Sequence, residues 1–128
     1  MENNYCIEKE WLIFKPSFND VLINYYDIIN KYNKIMFSNY NVPLIAIKIN
    51  NICKNEYIYN YSHNKFNKEI NLSNNINLTH LTFGNWFNQE IDLSNNINLT
   101  HLTFGKYFNQ EIDLTKNINL THLTFVHW

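Results

Sequence analysis

Three histidines, His80, His101 and His122, recur 21 residues apart, each inside the same seven letters, N-L-T-H-L-T-F. Imidazoles held side by side can share a transition-metal ion or take up protons near neutrality, where an unperturbed histidine titrates. Glu69, Glu90 and Glu111 recur at the same interval, but each is matched only by its own copies, and aligned like charges repel. That favours exposure over acid–base work. Gly84 and Gly105, the two glycines, share one position in the repeat, so there is no glycine loop to cradle a phosphate. No set of nucleophile, base and orienting group emerges. The residues therefore predict no enzyme and no cofactor.

The elements that must position these side chains are repeats. Cut at Phe66, Phe87 and Phe108, the chain gives FNKEINLSNNINLTHLTFGNW, FNQEIDLSNNINLTHLTFGKY and FNQEIDLTKNINLTHLTFVHW. The first two agree at 17 of 21 positions and the last two at 16 of 21. A fixed period of this length is the mark of a solenoid, whose coils bury their apolar residues only by stacking. Within a unit, Leu78, Leu81 and Phe83 spell L-x-x-L-x-F, which places Leu81 and Phe83 inward on a short strand and His80 and Thr82 outward. The same reading puts Leu99, Leu102, Phe104, Leu120, Leu123 and Phe125 in the core, together with Phe87 and Phe108. Ile91 and Leu93 alternate with Glu90 and Asp92, and Ser94-Asn95-Asn96 is turn chemistry. So short a unit leaves extended or 3₁₀ backbone on the return side rather than a long helix.

These units resemble the FNIP repeat, a leucine-rich-repeat-like family of social amoebae and of giant viruses of amoebae. The resemblance covers roughly residues 57–128 and is strongest in N-L-T-H-L-T-F-G-x-x-F-N. The Ile-Pro of the family name is replaced here by Lys68-Glu69, Gln89-Glu90 and Gln110-Glu111. The resemblance implies a parallel β solenoid of leucine-rich-repeat type serving as a non-catalytic protein-interaction scaffold. Related proteins can carry an F-box, so it also implies an alternative, a substrate adaptor for ubiquitin ligation; residues 15–22 bear a faint likeness to an F-box opening.

Ahead of the three full repeats, Tyr59 and Tyr61 mark a degenerate coil over 57–65, while Leu44, Ile47 and Ile49 fit a hairpin or irregular cap. Phe18, Val21, Leu22, Tyr25, Ile28, Ile29, Tyr32, Ile35 and Met36 fall on one face of a helix. Ser17 with Asp20 suits its N-terminus, and Asn39 and Pro43 its end. The expected architecture is thus mainly β with an N-terminal helix: residues 1–56 as a helical cap and 57–128 as the solenoid.

Composition narrows the class. The net charge is −1 with 16% charged residues, no arginine and no clustered basic excess, which argues against nucleic acid as a partner. No apolar run reaches the ~18 residues of a membrane span. Cys6 and Cys53 are too few for a disulfide framework, and the start MENNYCIEKE does not read as a signal peptide. A cytoplasmic protein is expected, in a host cytoplasm if viral. Asparagine-x-Ser/Thr occurs at Asn60, Asn71, Asn77, Asn98 and Asn119, but a chain so rich in A/T-coded residues makes such matches by chance. Asn67, Asn88 and Asn109, one after each phenylalanine, are expected as an inward ladder; Trp86, Tyr107 and Trp128 form an aromatic stripe.

The expected contact surface for a protein partner is the outward face of His80, Thr82, His101, Thr103, His122 and Thr124. A metal-binding or pH-sensing histidine ladder is the alternative for that face. Leu120, Leu123 and Phe125 are expected to lie uncovered at the last coil, and a homodimer through it would cover them.

Overall fold

A computed structural model of the chain describes residues 4–40 and 62–126. Tyr59, Tyr61 and the segment with Leu44, Ile47 and Ile49 lie outside those residues, as does Trp128. The described residues build one sheet of six strands taken in chain order, wound as a β-solenoid of about four turns with little helix. Strands β1 (Tyr5–Glu8) and β2 (Trp11–Phe14) form an antiparallel hairpin with Glu8 opposite Trp11. Lys9 in its turn adopts a left-handed φ of 55°. Every later junction is parallel: β2 with β3 (Lys34–Phe37), β3 with β4 (His80–Thr82), β4 with β5 (His101–Phe104), and β5 with β6 (His122–Phe125).

The N-terminal third corrects the expected long helix. Its apolar run is divided into a 3₁₀ turn at Leu22–Asn24, one helical turn at Tyr26–Ile29, here α1, and strand β3. Asparagines at 24, 30 and 33 and β-branched isoleucines are poor helix formers, so packing decides the local structure. That packing is the solenoid's own. Leu12 and Phe14 on β2, and Ile35 and Phe37 on β3, are all buried, at the places taken by Leu81 on β4 and by Phe83 just after it. Trp11 to Asn33 is therefore a coil, and residues 15–22 lie within it.

Phenylalanines run through the core in two columns. Phe14, Phe37, Phe83, Phe104 and Phe125 stack ring over ring at 4.9–5.6 Å between neighbours. Phe18, Phe66, Phe87 and Phe108 make the second column at 5.7–6.1 Å. Within a coil the columns touch: Phe83 lies 3.8 Å from Phe87, and Phe104 3.8 Å from Phe108. Phe66 sits 4.4 Å from Phe37 and completes that coil. Full burial of each ring contributes roughly 1.5–3 kcal/mol.

Asparagines also tie successive coils together, the expected ones from the surface rather than from inside. Asn67 and Asn88 are half-buried and Asn109 is exposed. They do form a ladder, since the Oδ1 of Asn67 accepts from the Asn88 backbone N–H and that of Asn88 from the Asn109 N–H, both at 2.8 Å. Asn19 begins it by accepting from Asn67 N–H at 3.0 Å. The inward ladder is Asn75, Asn96 and Asn117. The Nδ2 of Asn96 donates to the Leu72 and Asn75 carbonyls at 3.0 and 2.9 Å, and Asn117 repeats this on Leu93 and Asn96. Asn75 starts the series on Ile29 and Tyr32. Buried carbonyls at a turn need such donors.

The core thins toward the last coil. Leu78, Leu81, Phe83, Phe87, Leu99, Leu102 and Phe104 are buried, while Phe108 and Leu120 are only partly so. Leu123 and Phe125, assigned to the core above, remain 44% and 38% exposed, because no described strand pairs with the outer edge of β6.

Candidate functional site

The parallel register sets the three histidines directly beside one another on the outward face, His80 opposite His101 and His101 opposite His122. Strand spacing of about 4.8 Å brings them near; side-chain bonding then aligns them. In each coil the preceding threonine holds the ring by Nδ1: Thr79 at 2.9 Å, Thr100 at 2.8 Å and Thr121 at 2.8 Å. Each threonine hydroxyl in turn reaches a carbonyl of the coil before, Asn33, Thr79 or Thr100, at 3.1–3.2 Å. The rings stack with centroids 4.2 and 4.1 Å apart and planes within 8°. With Nδ1 engaged, Nε2 is the nitrogen left to meet solvent or a ligand.

The ladder has a head that was not among the expected site residues. Trp11 on β2 lies edge-on to His80 at 5.6 Å, Lys34 Nζ sits 5.9 Å from the indole centre, and Glu10 pairs with Lys34 at 3.0 Å. Partial burial holds His80 below its ordinary pKa, helped by His101 and Lys34 and opposed by Glu10. His101 is lowered as well, by desolvation first and then by His122 and Lys34. Both rings therefore favour the neutral form.

Parallel rings send their Nε2 lone pairs out side by side rather than toward one centre. A tetrahedral ion needs converging donors at ~2.0–2.1 Å, which these rings provide only by leaving their stack. Among the described residues, no group of three or more His, Cys, Asp or Glu is gathered to hold a metal.

Thr82, Thr103 and Thr124 occupy the second outward row in the same register, the first two half-buried and the last exposed. All six candidate contact residues thus share one face of β4, β5 and β6. The aromatic stripe lies elsewhere: Trp86 and Tyr107 are 43% and 47% exposed and, with Asn67 and Asn88, line a shallow cavity of about 390 Å³. A larger groove of about 810 Å³ runs along the return side past Glu90, Asp92, Glu111, Asp113 and Lys116. Asp92 and Asp113 are held below the usual carboxylate range by side-chain bonds, then backbone bonds, from Ser94 and Thr115. Glu69, Glu90 and Glu111 are all exposed.

A signal for Trp11 and Lys34 was present. W-L-I-F at 11–14 and K-I-M-F at 34–37 share the x-aliphatic-x-Phe skeleton of H-L-T-F, and Phe18-Asn19 repeats the Phe-Asn that opens each later unit. No family model matches the chain, and no curated protein matches it. No helix among the described residues is long and apolar enough to cross a membrane.

Proposed function

We propose that the chain is a protein-interaction scaffold of the FNIP-like kind, non-catalytic and cytoplasmic, with the outward face of β4 to β6 as its contact surface. One observation carries this reading: two straight rows, histidine and threonine, stand in strict register on a flat strand face. Such a face offers hydrogen-bonding groups and imidazole edges at a regular spacing. A protein surface is the ligand that a flat, rigid, repeated array suits.

Quantitative affinity purification tests it, comparing the wild-type chain with Thr103→Lys/His101→Asp and, as a control surface, with Glu90→Lys/Glu111→Lys. Partners lost with the first variant and kept with the second support the face. An identical partner set for all three removes it. The adaptor alternative has no supporting observation here, and deleting residues 1–56 to probe it would remove β1, β2 and β3. Val21→Glu/Ile23→Glu is the better probe, since both side chains are exposed, at 62% and 73%. Loss of recovered ligase subunits in that variant would favour the adaptor. A homodimer through β6 belongs to the proposal, because pairing with a second copy would cover Leu123 and the open edge.

A further inference from the structure

The joints between coils are built mostly from groups that do not titrate: phenylalanine columns, asparagine ladders and backbone. The histidine column is different. At the β4–β5 and β5–β6 joints it places ionisable rings face to face, 4.2 and 4.1 Å apart, each pinned at Nδ1 by a threonine and so prevented from splaying freely. Glu69, Glu90 and Glu111 recur at the same interval, but all three are exposed.

Neutral imidazoles stack without charge repulsion. Adding a proton at Nε2 of two adjacent rings sets like charges at contact distance. The two joints are not equally able to resist this. At β4–β5 the leucines and phenylalanines on both sides, Leu81, Phe83, Leu102 and Phe104, are buried. At β5–β6 the outer strand brings Leu123 and Phe125, exposed at 44% and 38%, and no described strand backs it.

We propose that the imidazole ladder is an acid-sensitive joint, at which protonation of the stacked rings releases the last coil, β6, from β5 while the remaining sheet stays folded. The other groups facing the ladder are few. Lys34 on β3 adds positive charge at the His80 end, partly offset by Glu10 in the turn before β2, to which it is paired. Beside His122 the described strands place only His101. The sign follows from linkage. His101 is held below its ordinary value in the closed coil by desolvation and then by His122, and releasing β6 lessens both and moves the ring back toward about 6.5. Between those values the open form binds more protons, so opening grows as pH falls through the ordinary histidine range and levels off below the closed-state value. Above that range pH has no leverage. Asp92 and Asp113, both lowered, titrate beneath this window.

Amide hydrogen exchange followed strand by strand, at several pH values from about 7.5 to 5.0 and corrected for intrinsic rates, tests the joint. The expected result is a loss of protection in β6 as the pH falls through the ordinary histidine range, with β3 unchanged. His101→Gln removes the middle ring and should flatten the response. Protection of β6 that does not change with pH, or a full response in His101→Gln, overturns the proposal. If that variant folds poorly, the wild-type chain still decides: His101 ring resonances titrating at or above the ordinary histidine value would overturn it equally.

Discussion

Gly105 rests directly on the Gly84–Asn85 backbone of the coil before it. A Cβ added to Gly105 would collide with the Gly84 carbonyl oxygen and lie 2.6 Å from Asn85 Cα. Neither glycine has a positive φ, so the requirement here is closeness and not an unusual dihedral. Backbone cannot step aside as a flexible side chain can. Gly105→Ala is expected to cost about 3 kcal/mol, the upper part of the usual overpacking range, read as a shift in urea midpoint. Val126 stands at the matching place in the last coil and is already 38% exposed. Val126→Ala should change stability by less than ~0.5 kcal/mol.

Leu102 and Leu123 are the same residue in successive coils, in register across the β5–β6 joint. The first is fully buried and the second 44% exposed. Leu102→Ala leaves a cavity with packed neighbours on both sides and is expected to cost about 2–5 kcal/mol. In the dilute monomer Leu123→Ala removes half-solvated atoms and should cost about 1 kcal/mol, since little cavity forms. Equal losses in thermal or urea unfolding would show that β6 is covered in solution.

What could be read from the letters alone depended on how far the coils had diverged. Residues 66–126 repeat nearly intact, so strand positions, inward leucines and the outward histidine and threonine rows were all legible. The first coils keep only their apolar skeleton, Leu12 with Phe14 and Ile35 with Phe37, and their polar positions carry no trace of H-L-T. Inward residues of a coil also fall at intervals of three and four, as Phe18, Leu22, Tyr25 and Ile29 do, which imitates a helix face. The buried asparagines were hidden by abundance. Asn75, Asn96 and Asn117 each stand three residues before a core leucine, but a chain this rich in asparagine gives no reason to single them out. Trp11 lies far from His80 in sequence, and only the sheet order brings them together.

Asn96 has no exposed surface, and its two amide hydrogens serve two carbonyls of the coil before. Its Oδ1 has no described partner, so the residue is held for its donors alone. Asn96→Ala should cost about 2–3 kcal/mol through the lost donors and the space left behind. Asn96→Asp should be worse at neutral pH, because a carboxylate would face carbonyl oxygens in a buried site. Burial and those carbonyls raise the pKa of the introduced acid above its unfolded value. Its penalty is therefore largest above that raised value and shrinks as pH falls through it. Unfolding curves at about pH 7 and pH 4.5 would check the sign; an Asn96→Asp protein no less stable than Asn96→Ala at neutrality would contradict the account.

The outer edge of β6 offers a last test, independent of any partner protein. Thr121 and His122 N–H groups bond back to the Thr100 carbonyl and Val126 N–H to Phe104, so the strand is paired on its inner side. No described strand occupies its outer side, and β6 itself carries no acidic residue or lysine to repel a neighbouring strand. Two copies meeting about a two-fold axis would join β6 to β6 in antiparallel pairing and bury Leu123 in both. Sedimentation velocity from about 1 to 100 µM should then show a concentration-dependent shift toward dimer, as mass action requires. Leu123→Lys places a charge on each side of that contact and should return the protein to monomer with its fold intact by circular dichroism. A wild-type chain that stays monomeric throughout the range, indistinguishable from Leu123→Lys, would exclude the dimer.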